Sequence, residues 1–358
     1  MIEHVKENEM ENKMESKRQG KYTVCFGQPP IVKSYASIAG KKEAEGPLKD
    51  YFDVICEDPM MGQNSWEEAE GELQCQAVMT ALDKAYMRPE DIHYLFAGDL
   101  LGQTIASSFG LMGLQIPHFG LYGACSTMGE SLSLASMIID GNFAERTVAV
   151  TSSHFASAEK QFRFPLMYGN QRSLSATWTV TGSGAIVLEH PSLSSEKAVQ
   201  NCVRIKAVTT GKIMDYGIKD SQNMGACMAP AAAFVITNHL RDMGRQPKDY
   251  DKIITGDLGK IGQKILFELM KEEGLNIQEQ HMDCGIEIFD SEKQDTHAGG
   301  SGCGCSAVTL CGYILNQLES NTWKRVLFVP TGALLSKISF NEGLSIPGIA
   351  HGIVLEKD

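Results

Sequence analysis

The chain has 358 residues, 43% of them hydrophobic, with 44 acidic against 32 basic side chains and a formal net charge of −12. That much apolar material fills one large domain or two ordinary ones and excludes a disordered chain, while the acidic balance excludes nonspecific nucleic-acid binding, which needs surplus Lys and Arg against phosphate. The longest apolar runs, such as AVTLCGYIL, reach about half the length of a bilayer-spanning helix, which restricts membrane association to the periphery.

Residues 1–20, MIEHVKENEMENKMESKRQG, mix Lys, Arg and Glu with few large apolar groups and are expected to form a flexible tail. The first structured half is expected over 21–190. From Arg88, RPEDIHYLFAGDL reads as a helix, a Pro-containing connection, an apolar strand and a Gly98-Asp99 pair at the strand's carboxyl end. Next, GLYGACSTMGESL (120–132) sets Cys125 on a turn of small residues. Thr127 and Glu130 have capping-box spacing, and the run that follows ends at Asp140-Gly141, so a helix is expected directly after the cysteine. A helix N-terminus offers partial positive charge and free N–H groups to a thiolate or a bound carboxylate. Cys125 and Ser126 are therefore candidate site residues, with a buried structural cysteine as the plainer alternative.

The strand in AERTVAVTSS (144–153) leads to His154, either a pocket group or a histidine satisfied by backbone. It opens HFASAEKQFRFPLMYGNQR (154–172), where Arg163 and Arg172 are interleaved with Phe162, Phe164 and Tyr168. Arg163 is the leading carboxylate partner, and a surface ion pair is the alternative. GSGAIVLE (182–189) closes the first half, and the polar stretch 191–201 suits a connection.

The second half, 202–358, repeats the first. QPKDYDKIITGDL aligns without a gap on RPEDIHYLFAGDL, pairing Gly256 with Gly98 and Asp257 with Asp99. NTWKRVLFVPTG (321–332) resembles AERTVAVTSS, pairing Arg325 with Arg146, and IAHGIVLE (349–356) resembles GSGAIVLE. Three matches in the same order indicate duplication. Alternating strands and helices imply mostly parallel sheets with ligands outside the strands' carboxyl ends, which brings Asp99, Cys125, Asp257 and the Gly-rich turn HAGGSGCGCSAV (297–308) together. Gly300 and Ser301 of that turn serve either ligand contact or close packing. The ten cysteines show no disulfide framework and read as reduced, and the His281, Cys284, His297, Cys303 and Cys305 spacings match no zinc pattern.

AGDLLGQ (97–103), YGACSTMGE (122–130), TSSHFASAEKQFRFP (151–165), TGSGAIV (181–187), MGACMAPAAA (224–233), ITGDL (254–258), AGGSGCGCSAV (298–308) and TGALLS (331–336) carry a resemblance that runs from about Tyr22 to the C-terminus. The chain resembles the thiolase and ketoacyl-synthase superfamily and, within it, the stage V sporulation AD family of endospore-forming bacteria. The resemblance implies a duplicated, five-layered αβαβα fold with two mixed, mostly parallel sheets, and a homodimer. It also implies binding of dipicolinic acid, pyridine-2,6-dicarboxylate, and a part in its movement across the spore inner membrane with other products of the same operon. No cofactor is implied; calcium would enter only as the ligand's chelate.

In the superfamily, the cysteine works with a histidine after the strand read here as DKIITGDLG and with a His or Asn from the Gly-rich turn. This chain has Thr255-Gly256-Asp257 and Gly299-Gly300-Ser301 at those places. An ionised Asp257 accepts hydrogen bonds and cannot donate to a developing oxyanion. His297 is the one nearby histidine that would substitute. The expectation is a binding protein with a vestigial nucleophile at Cys125, against two alternatives: an active acyltransferase using Cys125, and a structural subunit.

Overall fold

The computed structural model describes residues 17–162, 171–195 and 201–357. The sequence repeat is a structural repeat. In the first half, β1 (Ile31–Gly40), β2 (Tyr94–Gly98), β3 (His118–Gly120), β4 (Arg146–Ser153) and β5 (Gly182–Glu189) lie in the order β3-β2-β4-β5-β1. In the second, β6 (Arg204–Thr210), β7 (Lys252–Thr255), β8 (His281–Asp283), β9 (Arg325–Val329) and β10 (Gly348–Glu356) lie in the order β8-β7-β9-β10-β6. The second strand of each half is parallel to both its neighbours, and the fifth is antiparallel to both of its own.

The repeat extends to single hydrogen bonds. Ahead of β2, the Arg88 N–H donates to Asp91 at 2.8 Å; ahead of β7, the Gln246 N–H donates to Asp249 at 2.7 Å. Arg146 stands opposite Glu189 across β4 and β5, and Arg325 stands opposite Glu356 across β9 and β10. Each Arg Nε donates to its Glu, at 2.9 and 2.5 Å. Burial alone would raise the Glu189 carboxyl, but hydrogen bonds from Arg146 and Lys33 hold it below its ordinary value.

Three cores define five layers. On the outside of the first sheet, Leu73, Ala77 and Ala81 of α1 (Trp66–Lys84) pack on Leu95, Val148 and Val150. Between the sheets, Met128 and Leu132 of α2 (Thr127–Asp140) share a core with Ala307 and Val308 of a helix that starts at Cys303. That core reaches Ile186 and Leu188 of the first sheet and Phe328 and Ile353 of the second. Outside the second sheet, α4 (Met224–Met243) and α5 (Gly259–Glu272) cover Ile253, Leu327 and Val354, while α3 (Phe155–Phe162) lies beyond β4 in the first half. The Cys303–Thr309 helix is α6. Strands covered on both faces read as continuous apolar runs, which is why GSGAIVLE is buried along its whole length.

The expected two-sheet architecture holds, and the sheets are joined edge to edge by one register pair, Ile31 with Arg204, into a single hydrogen-bonded path. Two other expectations change. Order begins before residue 21: Lys17–Gln19 pairs with Thr23–Cys25, and the Asp242 carboxylate accepts the N–H groups of Tyr22 and Thr23 at 2.9 and 3.1 Å. The Thr127–Glu130 capping box does not form, because Ser126 is already helical (φ −81°, ψ −4°), and the buried Glu130 Oε2 has no hydrogen-bond partner. In the connection, Pro191–Leu193 forms a short helical turn, and 196–200 lies outside the described residues.

Candidate ligand site

Cys125 lies where the chain leaves the first sheet and enters α2, at the carboxyl ends of the strands of both halves. Ala124, just before it, is held at φ 50°, a left-handed conformation that costs a non-glycine residue about 1 kcal/mol and turns the cysteine sharply. The turn uses its own polar groups. The N–H groups of Ser126 and Thr127 donate to the carbonyls of Gly123 and Ala124 at 3.1 and 3.2 Å. The Ser126 hydroxyl donates to Gly123 O at 2.7 Å. Gly332 presses against the same turn: a Cβ there would sit 2.3 Å from Gly123 O, so no other residue fits without moving the cysteine.

Behind Cys125 lies Asp257. One carboxylate oxygen accepts the Gly302 N–H at 2.8 Å, the other accepts the Thr331 hydroxyl at 3.0 Å, and the Cys125 thiol lies beside the carboxylate and lowers its pKa. Complete burial raises the Asp257 carboxyl to about 7, although all three neighbours oppose the rise. Burial, then the Asp257 charge, pushes the Cys125 thiol well above its ordinary value, with the Gly302 N–H opposing. A helix N-terminus contributes only about 0.3–1 kcal/mol toward a thiolate. The carboxylate and the loss of water dominate. The expectation that this turn suits a thiolate is therefore corrected: burial and the neighbouring Asp257 carboxylate favour the protonated thiol at Cys125.

The thiol faces a cavity of about 520 Å³. Leu100, Leu101, Tyr122, Met224, Leu334 and Leu335 make its walls, Cys125, Ser301 and Gly302 its floor, and Gln103, Gln161 and Lys337 add polar groups. No histidine is among the described residues that line it. Lys337, Gln161 and Met224 were not singled out from the sequence; Met224 opens the stretch MGACMAPAAA, and Lys337 follows TGALLS by one residue.

Of the sequence candidates, Cys125 and Ser301 line the cavity, and Asp257 backs it. The others are used elsewhere. Asp99 is fully buried and accepts the N–H groups of Leu101 and Ser107, each at 2.8 Å, which fixes the wall from Leu100 to Gln103. Ser126 faces back into its own turn. His154 is 2% exposed, its Nε2 2.8 Å from the Pro59 carbonyl and its Nδ1 accepting the Ala156 N–H at 3.2 Å. Those partners assign a proton to Nε2, and burial lowers the ring's pKa, so His154 is neutral and structural. Gly300 pairs with Trp178, and a Cβ on it would meet Ile288 at 2.8 Å, so its role is close packing. His297 contacts the Ser173 carbonyl at 2.8 Å and does not line the cavity. The Arg172 guanidinium sits 4.8 Å over the Trp178 ring and donates to Asp295. Arg163, Phe164 and Tyr168 lie outside the described residues. Among the described residues, no group of three or more His, Cys, Asp or Glu side chains is placed to hold a metal ion, and no helix is long and apolar enough to cross a membrane.

This architecture is that of the thiolase-like condensing enzymes. The 3-oxoacyl-[acyl-carrier-protein] synthase III of Aquifex aeolicus VF5 superposes with a TM-score of 0.55 at 13% identity, covering 92% of this chain and 99% of its own. Cerulenin-bound OleA of Xanthomonas campestris gives a TM-score of 0.57 at 14% identity over 93% of this chain and 97% of its own. Such low identity establishes the fold alone. The particular family follows from sequence: the profile of Stage V sporulation protein AD (SpoVAD) matches residues 20–356. The Stage V sporulation protein AD of Bacillus subtilis (strain 168) is 44% identical over 338 residues, 94% of this chain and 97% of that protein. The chain belongs to the stage V sporulation protein AD family, and its role is in sporulation.

Proposed function

We propose that the cavity over Cys125 binds dipicolinate without acyl chemistry, as the ligand-holding part of an assembly that moves this diacid at the spore inner membrane. The observation that carries the reading is the Cys125–Asp257 contact. Acyl transfer needs a thiolate and a group that takes and returns protons at the reacting carbon. Here burial first and the Asp257 carboxylate second push the thiol well above its ordinary value, and the described lining holds no histidine. A small planar diacid needs apolar walls for its ring and a few fixed donors for its oxygens, and the cavity's leucines, Tyr122, Ser301 and Gln161 meet that need. Arg163, two residues after Gln161 in the chain, stays a proposed carboxylate partner. Calcium would come chelated by the ligand.

The homodimer is proposed on the open edge of the first sheet. β3 is exposed along its length, with Phe109, Met112 and Phe119 also exposed. An uncovered apolar strand edge favours pairing with a second copy. Sedimentation equilibrium that finds only monomer at micromolar concentration removes this part.

Calorimetric titration with pyridine-2,6-dicarboxylate and its 2,3-isomer tests the site. Binding of the 2,6-isomer, with the 2,3-isomer weaker, is expected; binding of neither contradicts the proposal. Incubation with acyl-CoA followed by intact-mass measurement is expected to leave the protein unmodified. A mass increase that disappears in Cys125→Ala would establish the acyltransferase reading instead.

A further inference from the structure

We infer that the chain carries a second ligand site, a cavity lined by the buried Glu43 that takes a small primary amine, its ammonium on the Glu43 carboxylate and its short apolar chain against Leu73, Phe155 and Trp178. Among the described residues this site shares no lining with the cavity over Cys125, and it stands whether or not that cavity holds dipicolinate.

The second cavity, of about 260 Å³, opens where β1 ends. Gly40, the last residue of β1, pairs with Cys56 of the short parallel strand Val54–Cys56, and both line it. Leu73 comes from α1 and Phe155 from α3, and the Phe155 ring stacks on Trp178 with centroids 4.1 Å apart. The two cavities lie on either side of one short strand pair, Trp178–Thr179 with Gly300–Ser301. Trp178 lines the second cavity, whereas Thr179 and Ser301 line the first.

Glu43 opens a short helical turn just beyond β1 and is 1% exposed. The fold uses one of its oxygens. Oε1 accepts the Thr181 N–H at 3.0 Å, while the Thr181 carbonyl accepts the Gly40 N–H at 2.8 Å, which pins the turn against the start of β5. Oε2 is buried and has no hydrogen-bond partner among the described residues. A glutamine would serve Thr181 as well without the cost of burying a carboxyl, so the fold does not account for the second oxygen. Gly40 keeps that oxygen accessible: a Cβ on Gly40 would come within 2.7 Å of Oε2.

The charges around the cavity select the class of ligand. Among the described lining residues, Glu43, Glu45, Glu57 and Asp58 stand against Lys41 and Lys42. Lys41 pairs with Glu57 at 3.5 Å, and the Lys42 ammonium donates to the Gln294 carbonyl at 2.7 Å while sitting 4.3 Å over the Trp178 ring. The surplus is acidic, so a cation is drawn in and an anion repelled. An ammonium gives Oε2 a charge-assisted hydrogen bond, roughly twice as strong as one from a neutral donor. The volume far exceeds the ~10–15 Å³ that holds one water and suits a ligand of a few heavy atoms.

The test uses n-butylammonium as the probe, with n-butanol and butyrate as its neutral and anionic counterparts. Ligand-observed NMR titrates all three against the full chain and against Glu43→Gln, and a crystal of the unaltered protein is soaked with the amine. The soaked crystal is expected to show the nitrogen within hydrogen-bond reach of Glu43 Oε2, and the alcohol and the acid are expected to bind more weakly than the amine. Glu43→Gln keeps an acceptor for Thr181 and is expected to weaken n-butylammonium about tenfold or more, as loss of a charge-assisted hydrogen bond requires. Ordered water alone at Oε2 in the soaked crystal, equal binding of amine and alcohol, or unchanged affinity in Glu43→Gln overturns the inference.

Discussion

Asp257→Asn removes the charge beside Cys125 while keeping the shape of the side chain. The remaining amide oxygen still accepts the Gly302 N–H, and the Thr331 hydroxyl, which donates to Asp257 at 3.0 Å, rotates to accept from the new amide. A full charge about 4 Å from a thiolate, at an effective dielectric near 20, opposes it by about 4 kcal/mol, roughly a thousandfold in thiolate population. Asp257 is raised only to about 7, so at pH 8.5 it is almost fully ionised, but a thiolate beside it can form by protonating it for about 2 kcal/mol, which caps the gain at roughly thirtyfold. The assay is carbamidomethylation at pH 8.5, followed on the Cys125 peptide by mass spectrometry. Cys125 lines the same cavity in both proteins, so the ratio of rates reports ionisation rather than access. Asp257→Asn is expected to react some tens of times faster. Equal rates, or a slower variant, would refute the claim that the carboxylate favours the protonated thiol.

Three further outcomes follow from the same groups. Binding a dianion close to Asp257 favours its protonated form, so dipicolinate affinity is expected to fall as pH rises through about 7; calorimetry in buffers of different ionisation heat should show proton uptake, and pH-independent binding argues against a ligand beside this carboxyl. Glu70, Glu43, Asp257 and Asp283 are buried carboxyls raised to about 8, 7, 7 and 6, so the folded protein binds more protons than the unfolded chain above pH 5. Their stabilisation is present in full below the unfolded pKa and fades as pH rises through the folded values; a Tm that falls between pH 5 and pH 8 is expected, with a smaller slope in Glu70→Gln, and a Tm that rises over that interval counts against it. Gly332→Ala places a Cβ 2.3 Å from the Gly123 carbonyl, so chemical denaturation should show a loss of about 1–3 kcal/mol together with weakened ligand binding; unchanged stability would mean the turn and the 331–333 strand are not wedged together.

The duplication was legible because it is written in residues that act locally. The Pro-x-Asp turns ahead of β2 and β7 and the Arg and Glu at the ends of facing strands keep their chemistry wherever the loops drift, so the two halves share them at matching places. The cysteine turn was legible for the same reason. What one sequence does not show is how two copies of Gly-Asp diverge. Asp99 is consumed eight residues on by Ser107, a local cap, whereas Asp257 finds Gly302, Thr331 and Cys125, all distant in the chain. The thiolate reading failed because it weighed a helix end without the carboxylate that folding brings beside it. His154 failed as a pocket group because its carbonyl partner, Pro59, lies 95 residues back. Lys337 went unnoticed because a lone Lys beside an apolar run carries no pattern until folding sets it on the cavity lining.

A crystal structure of the protein soaked with dipicolinate tests the central claim most directly. The expected result is the diacid inside the cavity, its ring against Leu100, Leu101 and Tyr122, with the Cys125 sulfur unmodified and still directed at Asp257. A ligand bound elsewhere with this cavity unfilled, or a covalent adduct on Cys125, would contradict it.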